Sequence, residues 1–437
     1  MKSRTSPSAS CDVAIIGGGP AGTSAATLLR QKGYHVVLLE KQVHPRYHVG
    51  ESLIPHFWRY CDLLGVGDRI RAEGFLEKAG GTVVWNNRIQ QVSFADFDFR
   101  EKALHVERDR FDQILFEHAV EQGTEAFERV SVTGVDFDGA WQHVHWRHTE
   151  DGTTGQTRCR FVLDASGQGA VVARQLGLRE LDPDFRFVSL WGYARNAKYV
   201  ALDGRAYSFD QARVTPPTTF VSALGTDNDS WSWLWHITLR KTTSLGLVVT
   251  LDELAEAKRS FDSLETYFQH TCRTTPIVGQ LLDEATFEGD FRVIRDFSYR
   301  ATRPAGAGYF LLGDAATFID PIFSQGLVLA FYTANLAAWS VDRCLRNPEG
   351  TARHQELYAQ QVQMRAEMAR SMALPGYSSS ALGQDGRQAV QLESKVEQRL
   401  MHVVAGLTNR SQNFRNLIQT DTPPEPSEVR TLTQIEF

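Results

Sequence analysis

The sequence predicts an α/β fold: a parallel sheet, split along the chain, with an inserted antiparallel-sheet domain and a C-terminal helical extension. Three observations predict it. Near the N-terminus the apolar run Val13-Ala14-Ile15-Ile16 is followed by a glycine-rich turn, a helical segment and a second apolar run, Val36-Val37-Leu38-Leu39. Runs of the same kind return at Phe161-Val162-Leu163 and at Tyr309-Phe310-Leu311-Leu312. Between those two, from about 183 to 300, short alternating segments rich in Thr, Trp and Val read as antiparallel strands, interrupted near 251–283 by a helical stretch.

The first unit carries the most chemistry. Glycines at 17, 19 and 22 give G-x-G-x-x-G directly after a buried strand and at the start of a helix that stops near Gly33. Gly17 permits the tight turn, Gly19 lets backbone approach a pyrophosphate, and Gly22 lets helix pack on strand. The free N–H groups of the helix N-terminus then face the phosphates. Glu40 ends the second strand, where an acid binds ribose hydroxyls. Strand, glycines, helix, strand and acid in register predict a Rossmann-type dinucleotide site. The plainer alternative is a glycine-rich turn in an ordinary α/β unit.

At 437 residues the chain is long enough for a large core and two closely joined domains. A hydrophobic content of 42% and a charged content of 22% are those of a soluble globular protein. The net charge of −6 and pI near 6.1 give no sign of nucleic-acid binding. No apolar run reaches membrane-spanning length, and no apolar segment follows the first residues as a secretory signal would. The five cysteines, Cys11, Cys61, Cys159, Cys272 and Cys344, are scattered, which points to reduced thiols in a cytoplasmic protein and to no metal site. Nine tryptophans leave room for an aromatic substrate pocket.

Residues 1–10 are polar and loose. Residues 44–56 read as a loop followed by a helix, with Glu51 or Ser52 serving the helix start. The helical pattern through Phe57, Leu63 and Leu64 stops at Gly65. A strand follows at Thr82-Val83-Val84-Trp85. The segment 104–120 reads as strand, turn and helix with Asp109 as N-cap, and 128–148 as a hairpin. A long helix begins near Gly326, 354–371 and 388–405 are helical, and 378–386 is a breaker. The tail with Pro423, Pro424 and Pro426 is irregular, and no internal repeat is present. The expected domains are 11–182 with 290–345 for the nucleotide fold, 183–289 for the antiparallel insert, and 346–437 for the helical region and tail.

This split order resembles the flavoprotein monooxygenase fold of the hydroxybenzoate hydroxylase type. Gly17, Gly19, Gly22 and Glu40 match its FAD adenosine site, and Arg108 matches the arginine opening its R-x-x-F-D helix. Asp164-Ala165-Ser166-Gly167 is similar to its second nucleotide-proximal turn, and Gly313-Asp314-Ala315-Ala316 to its G-D-A-x motif. Within that fold the chain is most similar to the flavin-dependent halogenases. His48-Val49-Gly50-Glu51-Ser52-Leu53-Ile54-Pro55 resembles their G-E-S-x-x-P flavin loop. Ser232-Trp233-Leu234-Trp235-His236-Ile237-Thr238 resembles G-W-x-W-x-I-P, with Ser232 for Gly and Thr238 for Pro. Phe318-Ile319-Asp320-Pro321-Ile322-Phe323-Ser324-Gln325-Gly326 resembles F-I-D-P-x-x-S-x-G, and Lys78 stands where the halogenase lysine does. Free-tryptophan halogenases carry a Glu immediately before the loop serine. Here that position is Phe323, which favours the branch acting on phenolic, pyrrolic or carrier-tethered groups and leaves a second catalytic group unidentified.

The resemblance implies a set of FAD contacts. In the N-terminal unit these are Gly17, Gly19, Ala21, Gly22, Glu40, Lys41 and Arg46. Val49, Gly50, Glu51, Ser52, Arg108 and Asp164 follow, then Gly313, Asp314, Pro321, Gln325, Gly326 and Leu327. It implies FADH2, O2 and chloride or bromide as reactants, a flavin C4a-hydroperoxide that oxidises halide to hypohalous acid, and Lys78 as the group that activates this oxidant. A buried ammonium could hydrogen-bond the acid, and a neutral amine could form a haloamine. Backbone N–H groups at Ser324, Gln325 and Gly326 suit a halide and suit a flavin oxygen equally well. Trp231, Trp233, Trp235 and Ile237 share one face of a strand, either as a barrier between substrate and flavin or as core packing. No second G-x-G-x-x-G is present for nicotinamide, and the resemblance implies a separate NAD(P)H-dependent flavin reductase. The competing readings are an FAD-dependent aromatic hydroxylase and a flavin-binding scaffold for an assembly line.

Overall fold

The computed structural model describes residues 6–85, 88–97, 99, 101–224, 232–377 and 430–437. Strand Val13–Ile16 lies inside a six-stranded sheet whose order is Ala305–Gly306, Tyr309–Leu311, Phe161–Asp164, Val13–Ile16, Val36–Leu39 and Glu125–Phe127. All its pairings are parallel except that of Ala305–Gly306 with Tyr309–Leu311. Every residue of the strands at 13–16, 36–39 and 161–164 is buried, as expected of a sheet covered on both faces. Helix Pro20–Gln31 packs between helices Arg108–Glu121 and Gly326–Arg346 over this sheet. The order brings together strands whose sequence positions lie far apart, so the split reading of the nucleotide fold holds at the level of the sheet.

The second sheet has eight strands, in the order Thr286–Arg295, Phe187–Arg195, Thr243–Thr250, Trp233–Thr238, Thr218–Ala223, Gly80–Trp85, Arg88–Ser93 and Arg430–Leu432. It is antiparallel except where Thr218–Ala223 meets Gly80–Trp85. Two strands therefore come from residues 80–93, well before the expected insert, and one from the C-terminal end. The expected boundary at 289/290 falls inside strand Thr286–Arg295, whose pairing with Phe187–Arg195 belongs to this sheet. Alternation along Trp233–Thr238 sends Leu234 into the core under helix Leu264–Thr274 and sends Trp233, Trp235 and Ile237 to the opposite face.

Several element ends differ from expectation for local reasons. Helix Phe57–Leu64 starts at Phe57 and not at Glu51 or Ser52, because Ser52 bridges to His105 and Leu53 N–H donates to Leu104 O. It ends at Gly65 with φ +82, the left-handed stop that favours glycine. Helix Arg108–Glu121 has Glu107 at its N-cap, and Asp109 sits in its first turn. The hairpin Val130–Asp138/Trp141–His148 gains a third strand, Thr154–Cys159. Helix Thr351–Tyr377 runs longer than the 354–371 read from sequence. Trp231, the 378–386 breaker, the 388–405 helix and the tail prolines lie outside the described residues. Among the described residues no helix is long and apolar enough to cross a membrane, and no His/Cys/Asp/Glu cluster could hold a metal ion.

The first turn tests the fold most simply. A Cβ at Gly22 would stand 2.0 Å from Gly17 O, a backbone atom that cannot step aside, whereas one at Gly81 would meet nothing nearer than 3.9 Å. Gly22→Ala is expected to destabilise the protein by ~3 kcal/mol, and Gly81→Ala by under ~1 kcal/mol. Thermal melts of the two variants beside the parent check this.

Candidate active site

The turn after strand Val13–Ile16 is built for close backbone approach. Gly17 has φ +104 and lies so near Ala165 that a Cβ would be 2.4 Å from its carbonyl oxygen. Gly19 is the N-cap of helix Pro20–Gln31, Pro20 fills the first position where no N–H is needed, and no acid stands in the first turn to compete with a phosphate. Ala21 and Gly22 are buried in that turn. Glu40 is buried, and its Oε2 accepts from Gly18 N–H at 2.7 Å while its Oε1 accepts from Gln42 N–H at 2.9 Å. Lys41, next along, is exposed. Gly313, with φ +53, faces Ala21 and Ala330 and donates its N–H to Thr333 Oγ1.

The adjoining loop is held by two arginines on one buried carboxylate. Arg108 donates to both oxygens of Asp112, at 2.9 and 3.1 Å, and to the carbonyls of Val49 and Gly50, at 2.8 and 3.3 Å. Arg46 donates to Asp112 Oδ2 at 3.2 Å, and its Nε lies 3.8 Å from Glu40. Burial alone would raise the Asp112 carboxyl. Arg108 and then Arg46 more than offset it and hold it below the usual range. Arg108 thus fixes the loop at 49–50 through its carbonyls. Glu51 is buried, accepts from Tyr193 O–H at 2.6 Å and from Gly50 N–H at 3.1 Å, and is raised by burial. Asp314, enclosed apart from a partly exposed edge, is pushed up to about 6 by burial, with Arg108 opposing.

Asp164 braces the turn in which it stands. Its Oδ1 accepts from Ser166 N–H and O–H, and its Oδ2 from Val172 N–H at 2.7 Å. Both oxygens hold the turn and the start of helix Val171–Gln175, so this carboxylate is an internal brace.

Lys78 ends the short strand Leu76–Lys78, which pairs antiparallel with Ala103–His105. Alternation exposes Glu77 and buries Leu76 and Lys78, the lysine to 4% exposure. Its Nζ donates to Ser52 Oγ at 2.8 Å and to Leu53 O at 3.0 Å and lies 5.2 Å from the centre of the Phe94 ring. Burial is the cause that lowers it to about 7. The loop at 318–327 reaches the same hydroxyl: Ser324, in the left-handed region at φ +56, donates from Oγ to Ser52 Oγ at 3.0 Å. Pro321 O accepts from Ser324 N–H, Gln325 is the N-cap of helix Gly326–Arg346, and Leu327 is buried in its first turn. Beside this loop lies an apolar cluster. Trp233, Trp235 and Ile237 pack there with Ile319 and Ile322, and partly buried Val49 and Phe323 border it. Trp235 lies flat over Gly246, where a Cβ would be 2.1 Å from the indole, and donates to Ser244 Oγ at 3.1 Å.

Sequence reasoning missed His105 and Thr219. Thr219 Oγ1 lies 2.8 Å from Ser52 Oγ and 2.8 Å from His105 Nε2, and His105 Nδ1 lies 3.0 Å from Thr238 O. The one available signal was a histidine at the inward phase of a buried strand, three residues before Arg108.

A glycine turn open to backbone approach, an uncrowded helix N-terminus and an enclosed Asp314 beside Arg108 fit a dinucleotide with a polar chain between its rings. The comparisons agree. The FAD binding domain family model matches residues 10–372. A tryptophan 2-halogenase of Chondromyces crocatus is 34% identical over 80% of this chain and 64% of its own length, so the chain spans under two thirds of that relative. The flavin-dependent halogenase armH3 of Armillaria mellea is 34% identical over 76% of this chain and 67% of its own. A 1H-pyrrole-2-carbonyl-[peptidyl-carrier protein] chlorinase of Pseudomonas fluorescens is 29% identical over 77% and 76%. Among solved structures, the myxobacterial chondrochloren halogenase CndH superposes with a TM-score of 0.75 at 28% identity, covering 96% of this chain and 94% of that one. The chain binds FAD through this Rossmann-type domain and belongs to the family of flavin-dependent halogenases.

Proposed function

We propose that this chain halogenates an electron-rich aromatic or otherwise activated carbon, with FADH2, O2 and chloride or bromide as reactants, in the making of a secondary metabolite. A separate NAD(P)H-dependent flavin reductase supplies the FADH2. The observation that carries the reading is Lys78: a primary amine, buried without a carboxylate partner among the described residues and lowered to about 7. Bound FADH2 with O2 supplies the oxidising equivalent that converts halide to hypohalous acid. The chain's own residues do the rest. Gly17, Gly19, Gly22 and the first turn of helix Pro20–Gln31 receive the pyrophosphate, and Arg108 and Arg46 hold the loop that carries Val49, Gly50 and Ser52. Gln325 and Gly326 offer N–H groups to the halide at a helix start, and Ser324, whose own N–H is held by Pro321 O, shapes the turn before them. Trp233, Trp235 and Ile237 form the apolar wall that keeps the path dry.

Lys78 acts on the hypohalous acid. As an amine it takes the halogen, forming N–X and releasing water. The carbon of the substrate then takes the halogen and leaves the amine with the proton that carbon gives up. Phe323 in place of an acid favours a phenolic or pyrrolic substrate over free tryptophan. The pyrrole-carrier chlorinase among the relatives supports a carrier-tethered form.

Two outcomes are expected in a reductase-coupled assay with bromide and phenol and pyrrole probes, free and carrier-tethered, read by mass spectrometry. Lys78→Ala should lower halogenated product by ~100-fold or more while FADH2 is still oxidised. Oxygen addition without halogen in the parent protein would favour the hydroxylase instead. Because deprotonation gives Lys78 its lone pair, product formed per FADH2 consumed should rise as pH increases through about 7. A profile that falls over that interval would assign the work to the ammonium.

A further inference from the structure

The hydroxyl groups around Lys78 have no freedom of direction, and the cause lies three hydrogen bonds away. Thr238 O is a carbonyl and only accepts, so His105 Nδ1, 3.0 Å from it, keeps its hydrogen. His105 is fully buried, and burial first, then the Lys78 cation, hold it well below an ordinary histidine, so the ring is neutral and Nε2 is bare. Bare Nε2 takes the one hydrogen of Thr219 Oγ1, at 2.8 Å. The Thr219 oxygen then accepts from Ser52, at 2.8 Å, and this uses the one hydrogen of Ser52. Ser52 Oγ has two lone pairs left, and it receives Lys78 Nζ–H at 2.8 Å and Ser324 Oγ–H at 3.0 Å. Each atom of the chain is satisfied in this direction. Reversing any link would set two hydrogens against each other or leave a buried lone pair bare.

The consequence falls on the amine. Lys78 Nζ has four tetrahedral positions. Cε fills one, and N–H bonds to Ser52 Oγ and Leu53 O fill two. The fourth has no hydrogen-bond partner among the described residues. Were the Ser52 hydroxyl free to turn, it would donate into the lone pair of the neutral amine, and the fourth position would carry an N–H in place of that lone pair. We propose that His105 is a positioning residue for halogenation: through Thr219 it fixes the direction of the Ser52 hydroxyl and so keeps the lone pair of Lys78 at its fourth position, facing the oxidant. The proposal rests on Lys78 being the group that handles hypohalous acid.

The test compares Thr219→Val, Thr219→Ser and Lys78→Ala with the parent, using reductase-supplied FADH2, bromide and a phenol probe, and reads brominated product per FADH2 consumed. Thr219→Val keeps the shape and breaks the chain, and the yield should fall about tenfold. Thr219→Ser restores the hydroxyl, and the yield should return to within about twofold of the parent. A Thr219→Val yield equal to the parent, or a Thr219→Ser yield as low as that of Thr219→Val, would overturn the positioning role while leaving the lysine reading intact if Lys78→Ala still abolishes product. A Lys78→Ala variant that keeps its yield would instead remove the reading on which the proposal rests. Nitrogen-15 spectra of the parent's imidazoles decide the matter independently, even if Thr219→Val fails to fold. His105 should be the neutral tautomer with hydrogen on Nδ1, and hydrogen on Nε2 would reverse the chain and overturn the proposal.

Discussion

A primary amine held away from water, with no carboxylate beside it among the described residues, is the constraint from which the site follows. Lowering Lys78 from 10.5 to about 7 corresponds to a penalty of order 5 kcal/mol on its charged form. The contrast lies beside the same loop, where Arg108 and Arg46 share the buried carboxylate of Asp112. One pairing makes a rigid brace from permanent charges. At Lys78 the missing partner makes a base. An acid one residue before Ser324 would bring a negative charge toward this amine and work against the shift. Phe323 at that position leaves burial unopposed.

Burial of this kind needs a seam, and the two sheets make one. Strand Leu76–Lys78 has only three residues, and it leads at once into Gly80–Trp85 of the eight-stranded sheet. Its partner Ala103–His105 leads equally fast into the helix opened by Arg108. The amine therefore stands where the nucleotide fold hands over to the large sheet, with Trp233, Trp235 and Ile237 on the apolar face of the latter. A dry wall strengthens every polar interaction beside it, which makes the direction of one hydroxyl matter.

What was legible in the sequence was what backbone geometry dictates locally. Gly17, Gly19, Gly22 and Glu40 lie within one βαβ unit, and their spacing alone marks its strand, turn and helix start. Strand alternation alone put Trp233, Trp235 and Ile237 on one face. Lys78 was visible only through resemblance, since nothing in Phe75-Leu76-Glu77-Lys78 distinguishes it from a surface lysine. The expected insert, 183–289, did not reach back to the strands at 80–93, because their partner, Thr218–Ala223, lies more than a hundred residues away. At Asp164 the motif match fixed the turn, and only the structure shows its oxygens engaged by Ser166 and Val172 close by.

The departures from the tryptophan motif show why such matches need geometry. Ser232 replaces a glycine, and its hydroxyl is drawn into the cap of helix Leu251–Ser260, where it accepts from Thr250 N–H at 3.2 Å. Thr238 replaces a proline, and its side chain plays no part in the lysine network. The site uses the Thr238 carbonyl, which receives the His105 Nδ1 hydrogen, and every residue type supplies a carbonyl. A letter that differs from the motif thus leaves the chemistry untouched. His105 and Thr219, which belong to no motif, determine which way the hydroxyl next to the amine faces.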